Sequence, residues 1–191
     1  VHRALPYLEG RGIDKAAALG AGLGVVTDPL PGHEGMLGRL SIPYITAAGT
    51  VNMTFRCIQN HDCKTETKHS KYMKWAKLQS SLYHVQSIEA AGDWLAVAEG
   101  EIDALTLNIS GIPAVGIAGV DNWQEFWPLI FDDFSRIYFF EDGDDAGKKL
   151  GDRLLHEVST PVVRIKMPPK EDVNSIYTKQ GPEALVRMIR T

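Results

Sequence analysis

Residues 94–110, WLAVAEGEIDALTLNIS, and residues 136–158, RIYFFEDGDDAGKKLGDRLLHEV, decide the fold. Each opens with a short apolar run, passes through an acidic turn containing glycine, and continues with apolar residues at helical spacing. A short apolar run bounded by turn residues reads as a strand buried on both faces, and the periodic segment after it as the helix that covers the sheet. Outward from these two units the alternation continues: IPAVGIAG (112–119), NWQEFWPLIFDD (122–133), PVVRIKM (161–167) and a last helix in EALVRMIR (183–190). Strands alternating with amphipathic helices predict an α/β domain over residues 91–191, with a central, mostly parallel sheet flanked by helices. Trp123 and Trp127, four apart, are expected to pack a helix on that sheet together with Phe126, base stacking being the alternative use of such rings.

Toward the amino terminus the period changes. Leu5, Leu8, Ile13, Ala17 and Leu19 predict two short helices broken at Gly10 to Gly12. Residues 37–45, LGRLSIPYI, and 51–58, VNMTFRCI, read as strands of a hairpin around AAGT (47–50). The polar stretch QNHDCKTETKHS (59–70) reads as an exposed loop. Residues 1–90 are therefore expected to form a smaller α+β subdomain of helices and a β-hairpin.

The net charge of −4 conceals a division. Residues 1–90 hold 10 Lys and Arg against 7 Asp and Glu, and residues 91–191 hold 10 against 17, which gives +3 and −7. The densest basic stretch, Arg56 to Lys77, has six basic side chains offset only by Asp62 and Glu66. Such a division suits an enzyme that holds phosphates with one part and metal ions with the other, and solvated surface charge is the plain alternative. No apolar run is long enough for a membrane helix, the first residues lack signal-peptide architecture, and two cysteines are too few for a disulfide scaffold, so a cytosolic protein is expected.

The chemistry concentrates at the strand ends. In open α/β sheets ligands bind beyond the carboxyl ends of the strands, and there the sequence sets Glu99 after LAVA and Asp142 and Asp144 after IYFFE. If the backbone stays extended across Gly143, the two aspartates point the same way and share one ion, with Gly143 leaving its approach open. Hard divalent cations take a few carboxylates and complete their shell with water and phosphate oxygens. Asp103, one turn into the next helix, would support the site from behind, and Asp172 in PPKEDVNSIY is a further candidate ligand. Helix capping by Asp144 or Asp145 is the competing explanation, and it is compatible with metal binding.

The succession VAEGEIDALTL (97–107), FFEDGDDAGKKLGDRL (139–154) and KEDVNSIY (170–177) resembles the Toprim signature of bacterial and phage DNA primases, a fold they share with topoisomerases, recombination mediators and some nucleases. The resemblance implies that Glu99, Asp142 and Asp144 are the family's catalytic metal-binding acids, with Asp103 and Asp172 at its further acidic positions. It implies Mg²⁺ or Mn²⁺, one or two ions, and DNA-dependent synthesis of short RNA primers from ribonucleoside triphosphates on single-stranded DNA. Asn174 departs from the pattern where primases usually carry a second aspartate. In the amino-terminal half, YLEGRGI, GRLSIPY and SKYMKW resemble the smaller subdomain of the primase core. Arg39, Arg56, Lys71 and Lys74 thereby become candidate contacts to template or nucleotide, as phosphates need fixed cations opposite the metal. A bacterial or phage-encoded cytoplasmic protein is implied, with a replicative helicase or a zinc-ribbon domain on another chain or outside these residues. A Toprim nuclease and a degenerate DNA-binding module of a replication assembly are the rival readings.

Other motifs add little by sequence alone. Cys57, His61, Cys63 and His69 offer the ligand types of a Zn²⁺ site, but C-x3-H-x-C-x5-H matches no common finger, so a solvated loop with reduced cysteines is the expectation and zinc the lesser alternative. GDDAGKK lacks the glycine spacing and the Ser or Thr of a P-loop, and Gly20, Gly22 and Gly24 lack the strand and acid of a dinucleotide fingerprint.

Overall fold

A computed structural model describes residues 1–75 and 78–190, apart from the side chain of Val120; Lys77 of the basic stretch lies outside the described residues. The chain forms two compact units, Val1–Gln79 and Ser80–Thr191. The division comes before residue 90 because the intervening segment joins the second unit. Tyr83 and Gly116 exchange two backbone hydrogen bonds, at 2.8 and 3.0 Å, and Leu82 and Tyr83 are buried.

In the first unit α1 (Leu5–Glu9) and α2 (Lys15–Gly20) are the two expected helices, α2 capped by Asp14, whose carboxylate accepts the Ala17 N–H. Four antiparallel strands follow in the order β1 (Gly24–Val25), β2 (Leu40–Thr46), β3 (Gly49–Arg56) and β4 (Tyr72–Lys74). The hairpin pairs Leu40 with Arg56 and Thr46 with Gly49, with one irregularity at Tyr44 and Ile45. Pro43 is tolerated in β2 because β1 pairs only with Leu40 and Ser41, so the strand is an edge on that side where proline offers no N–H. Leu8, Ile13, Leu40, Ile42 and Phe55 form part of its buried apolar interior.

The second unit is the predicted α/β domain. Its sheet is parallel throughout, in the order β6-β5-β7-β8, with β5 (Trp94–Ala98), β6 (Ala114–Gly116), β7 (Arg136–Glu141) and β8 (Val162–Lys166). The helices are α3 (Gln86–Ala90), α4 (Glu101–Ile109), α5 (Trp127–Phe131), α6 (Asp145–Glu157), α7 (Val173–Gln180) and α8 (Pro182–Arg190). Alternation along the strands divides the core: Leu95, Val97, Val115, Ile117, Ile137 and Phe139 pack with Trp127 and Phe131 of α5 and Leu150 and Leu154 of α6. Ala96, Ala98, Ala114 and Phe140 on the other face are also fully buried, and α4 packs against β5 and β6. Burial on both faces is why these strands read as continuous apolar runs.

The aromatic segment differs from expectation in its start. Pro128 favours the first turn of α5, so the helix begins at Trp127 and Trp123 lies before it, edge-on to Trp127 at 5.6 Å. Phe126 is exposed and does not pack on the sheet. Among the described residues no helix is long and apolar enough to cross a membrane.

Candidate active site

The strand order itself selects a location. From β5 the chain crosses through α4 to β6 on one side, whereas from β7 it crosses through α6 to β8 on the other. The direction of winding therefore reverses between β5 and β7, and the diverging loops leave a crevice at their carboxyl ends. Ala98 is in register with Phe140, so Glu99 and Asp142 leave the sheet from neighbouring strands at that crevice.

Each acid has a distinct structural setting. Asp144 caps α6, accepting the N–H groups of Ala146 at 2.9 Å and Gly147 at 3.0 Å, and Asp172 caps α7, accepting the Ser175 N–H at 2.7 Å within a capping box. Asp103 is buried in the first turn of α4 and accepts the Asn174 N–H at 3.0 Å. Glu99 Oε2 and Asp142 Oδ1 are buried without a hydrogen-bond partner among the described residues. An orphaned carboxylate oxygen is expensive unless a proton or a cation meets it.

Electrostatic coupling shows that the five acids share one field. Burial pushes Glu99 up to about 7, with Asp144 and Asp103 adding repulsion. Burial likewise pushes Asp142 up to about 8, with Asp103, Glu99, Asp172 and Asp144 contributing in that order. These two raised carboxyl groups are the ones with the orphaned oxygens. A divalent cation fits this set on both counts, since it offsets the repulsion and gives those oxygens a partner.

Gly143 acts differently from the sequence expectation. Strand β7 ends at Glu141, and the backbone bends at Gly143 instead of continuing extended. A Cβ there would collide with the Pro168 carbonyl oxygen, while the Gly143 N–H donates to Glu171 O at 3.0 Å and its carbonyl accepts from Lys170 N at 3.2 Å. The glycine is thus required by the close approach of the loop after β8, which brings Asp172 toward Asp142. Gly147 similarly lets α6 sit against the backbone of Asp142, where a Cβ would meet the carbonyl oxygen at 2.6 Å.

Asn174 also receives a structural explanation. It is buried, and its Nδ2 donates at 2.9 Å to Thr106 Oγ1, whose own proton goes to Ile102 O at 2.7 Å. The position needs a donor, which an ionised aspartate lacks. Sequence reasoning missed Glu141 and Arg164, an ion pair between β7 and β8 with the carboxylate buried and the guanidinium half-buried, because the partners sit on separate strands and leave no local pattern. Arg164 also pairs with Asp152 and lies over Gly151, whose Cβ would reach its guanidinium.

The four basic candidates divide into two pairs. Arg39 is buried and donates to the carbonyls of Gly35 at 2.8 Å, Ser70 at 2.9 Å and Lys71 at 3.2 Å. Arg56 is buried beside the rings of Tyr7 and Tyr72, at 5.6 and 4.9 Å, and donates to the Tyr72 hydroxyl. Both guanidinium groups are thus held within the first unit, Arg56 keeping its Nε buried without a hydrogen-bond partner among the described residues. Lys71 and Lys74 are exposed. Cys57, His61, Cys63 and His69, expected as a solvated loop, are instead gathered within the first unit.

With this geometry in hand, comparison with known proteins is decisive at the level of the family. The Toprim-like family model matches residues 96–177, and the gene 57 protein of Mycobacterium phage D29 is 30% identical over 152 residues, covering 80% of this chain and 98% of that protein. This chain belongs to the Toprim-like family. A DNA primase of Buchnera aphidicola is 34% identical to this Toprim chain over 104 residues, which is half of this chain and 18% of that primase. The Aquifex aeolicus primase structure, with zinc-binding and RNA polymerase domains, superposes with TM-score 0.80 at 21% identity, over 100% of this chain and 56% of that one. The RNA polymerase domain of Mycobacterium tuberculosis primase gives 0.76 at 20% identity, over 99% of this chain and 75% of that one. The Toprim chain thus has the fold of bacterial primase catalytic cores and spans only part of those proteins.

Proposed function

We propose that this chain is the catalytic core of a DNA primase, extending short RNA on single-stranded DNA with Mg²⁺ or Mn²⁺ bound by Glu99, Asp142, Asp144 and Asp172. The observation that carries the proposal is the pair of buried carboxylate oxygens, Glu99 Oε2 and Asp142 Oδ1, lacking described protein partners at the crevice between β5 and β7. The fold supports it, as does a solved primase catalytic domain bound to single-stranded DNA, similar at TM-score 0.73 and 21% identity.

When bound, such an ion neutralises triphosphate charge and eases deprotonation of a 3′-hydroxyl. Glu99 and Asp142 would hold it through the oxygens left unpaired. Asp144 and Asp172 add carboxylates whose orientation is fixed by the N–H groups of α6 and α7. Asp103, held by Asn174, supports the negative field from behind. Glu99 is the residue we assign to accept the hydroxyl proton. Lys71 and Lys74, exposed residues of the first unit, are the proposed contacts to template or nucleotide phosphates.

Purified protein with single-stranded DNA, ribonucleotides and Mn²⁺ is expected to make short RNA, and Asp142→Ala to lower the yield by about a hundred- to a thousand-fold. Equal product from both proteins, or none from either over a range of templates, would overturn the proposal. Cutting of the template without nucleotides would identify a nuclease, and DNA binding without turnover, indifferent to the acids, a non-catalytic module.

A further inference from the structure

The connection from Gln59 to Ser70 has no apolar reason to hold a shape. Residues 59–70 contain no aliphatic or aromatic hydrophobic side chain, and they form neither helix nor strand. Yet within 61–70 only His61, Cys63 and His69 are half-buried, every other residue being exposed. The backbone is folded to turn these three inward. Asp62 accepts the N–H groups of Lys64 at 2.9 Å and Thr65 at 2.6 Å, and Lys68 takes a left-handed conformation at φ 52°. His69 N then donates to Cys63 O at 2.8 Å, and Cys57 N donates to Lys71 O at 2.8 Å to close the base of the loop.

The result is a set of two sulfurs and two imidazole nitrogens all within 4.8 Å of one another. Cys57 Sγ lies 3.6 Å from His61 Nε2 and 4.0 Å from His69 Nε2, and the two Nε2 atoms are 2.9 Å apart. A tetrahedral zinc centre with ordinary Zn–S and Zn–N bonds has S···N edges of about 3.6 Å and N···N edges of about 3.3 Å. Each of the three separations falls within about half an ångström of its ideal edge. Both cysteines are free thiols. His69 Nδ1 lies 3.0 Å from Ser70 O, nearer than the Arg39 guanidinium at 3.3 Å. With its proton on Nδ1, donated to that carbonyl, His69 keeps the Nε2 lone pair for a metal, the outer hydrogen bond typical of ligating histidines.

We infer that Cys57, His61, Cys63 and His69 form a structural Zn²⁺ site that fastens the β3–β4 connection of the first unit. The sulfur and nitrogen donors exclude Mg²⁺, which takes oxygen, and so separate this site from the carboxylates of the second unit. Each thiol loses its proton to solvent on binding, leaving a centre with two thiolates and no net charge. Arg39, donating to Ser70 O and Lys71 O, clamps the same loop from the strand side.

The test uses the full chain purified under reducing conditions without chelator. Elemental analysis is expected to find about one zinc per chain in the wild type and in Asp142→Ala, falling to near zero in a Cys57→Ser, Cys63→Ser double variant. Replacement by Co²⁺ is expected to give the intense visible bands of tetrahedral cobalt and a thiolate charge-transfer band. His69→Cys, which keeps four soft ligands, should retain the metal with a stronger charge-transfer band. Zinc that stays substoichiometric after incubation with Zn²⁺, a weak octahedral cobalt spectrum, or zinc unchanged in the double variant would each overturn the inference. The wild-type cobalt spectrum decides the question even if the cysteine variants fail to fold.

Discussion

The two charged clusters of this molecule are built on opposite principles. In the second unit, five carboxylates are held by regular elements at the end of a parallel sheet, where helix N-termini orient Asp144 and Asp172 and burial raises Glu99 and Asp142. In the first unit, two thiols and two imidazoles meet on an irregular loop, and they meet closely. The acidic cluster is rigid but repulsive, so its scaffold must supply the energy that keeps it together. The Cys/His cluster is mutually compatible but weakly scaffolded, so a ligand must supply what the loop lacks. A site meant to hold and release substrates belongs on the first kind of support, and a fastening belongs on the second.

The strongest way to break this contrast is Asp142→Ala. It should cost about a hundred- to a thousand-fold in primer synthesis, the range found when a main electrostatic group is removed from an active site. Zinc content should not change, and a joint loss of both would show that the clusters are one folding unit. Gly143→Ala comes next. Its methyl group would strike the Pro168 carbonyl, and the repair should cost about 1–3 kcal/mol, read by chemical denaturation. Unaltered stability would mean that the loops are not in contact.

Asn174→Asp tests whether restoring the family's usual residue helps. The new carboxylate would face Thr106 Oγ1, an acceptor, near Asp103, so we expect a loss of about 1–3 kcal/mol at neutral pH instead of a gain in activity. The loss should shrink at acid pH, where a protonated aspartate can donate. The smallest effect is the pH dependence of the metal-free protein. Because Glu99 and Asp142 bind protons more tightly folded than unfolded, their contribution is fully present below about pH 4 and disappears as pH rises through about 7 to 8. Melting temperature without metal should fall across that window, and Mg²⁺ should raise it more at pH 8 than at pH 6. A metal-free protein that is steadily more stable toward pH 8 would contradict the burial of these two groups.

What the sequence revealed follows the same division. Strands β5 and β7 were legible because burial on both faces leaves an uninterrupted apolar run, and Glu99, Asp142 and Asp144 because a parallel sheet gathers whatever follows its strands. The hairpin was legible from alternation around AAGT. The Cys/His cluster was not, since its assembly depends on the Asp62 turn and the left-handed Lys68, neither of which leaves a periodic signal. The burial of Arg39 and Arg56 was not legible, because arginine is usually exposed and nothing in GRLSIPY or MTFRC announces that carbonyls and tyrosine rings will enclose them. Phe126 misled because helical spacing was extended one turn upstream of Pro128, where α5 had not begun.

The contact between Gly143 and Pro168 bears on how such a protein can vary. Inserting even one residue between β8 and α7 would displace the carbonyl against which the glycine is fitted, and with it the spacing of carboxylates contributed by two different loops. Insertions and deletions among relatives should therefore collect at the opposite rim of the sheet, in the turns that precede β5, β7 and β8. The crevice rim should keep its length even where its side chains drift.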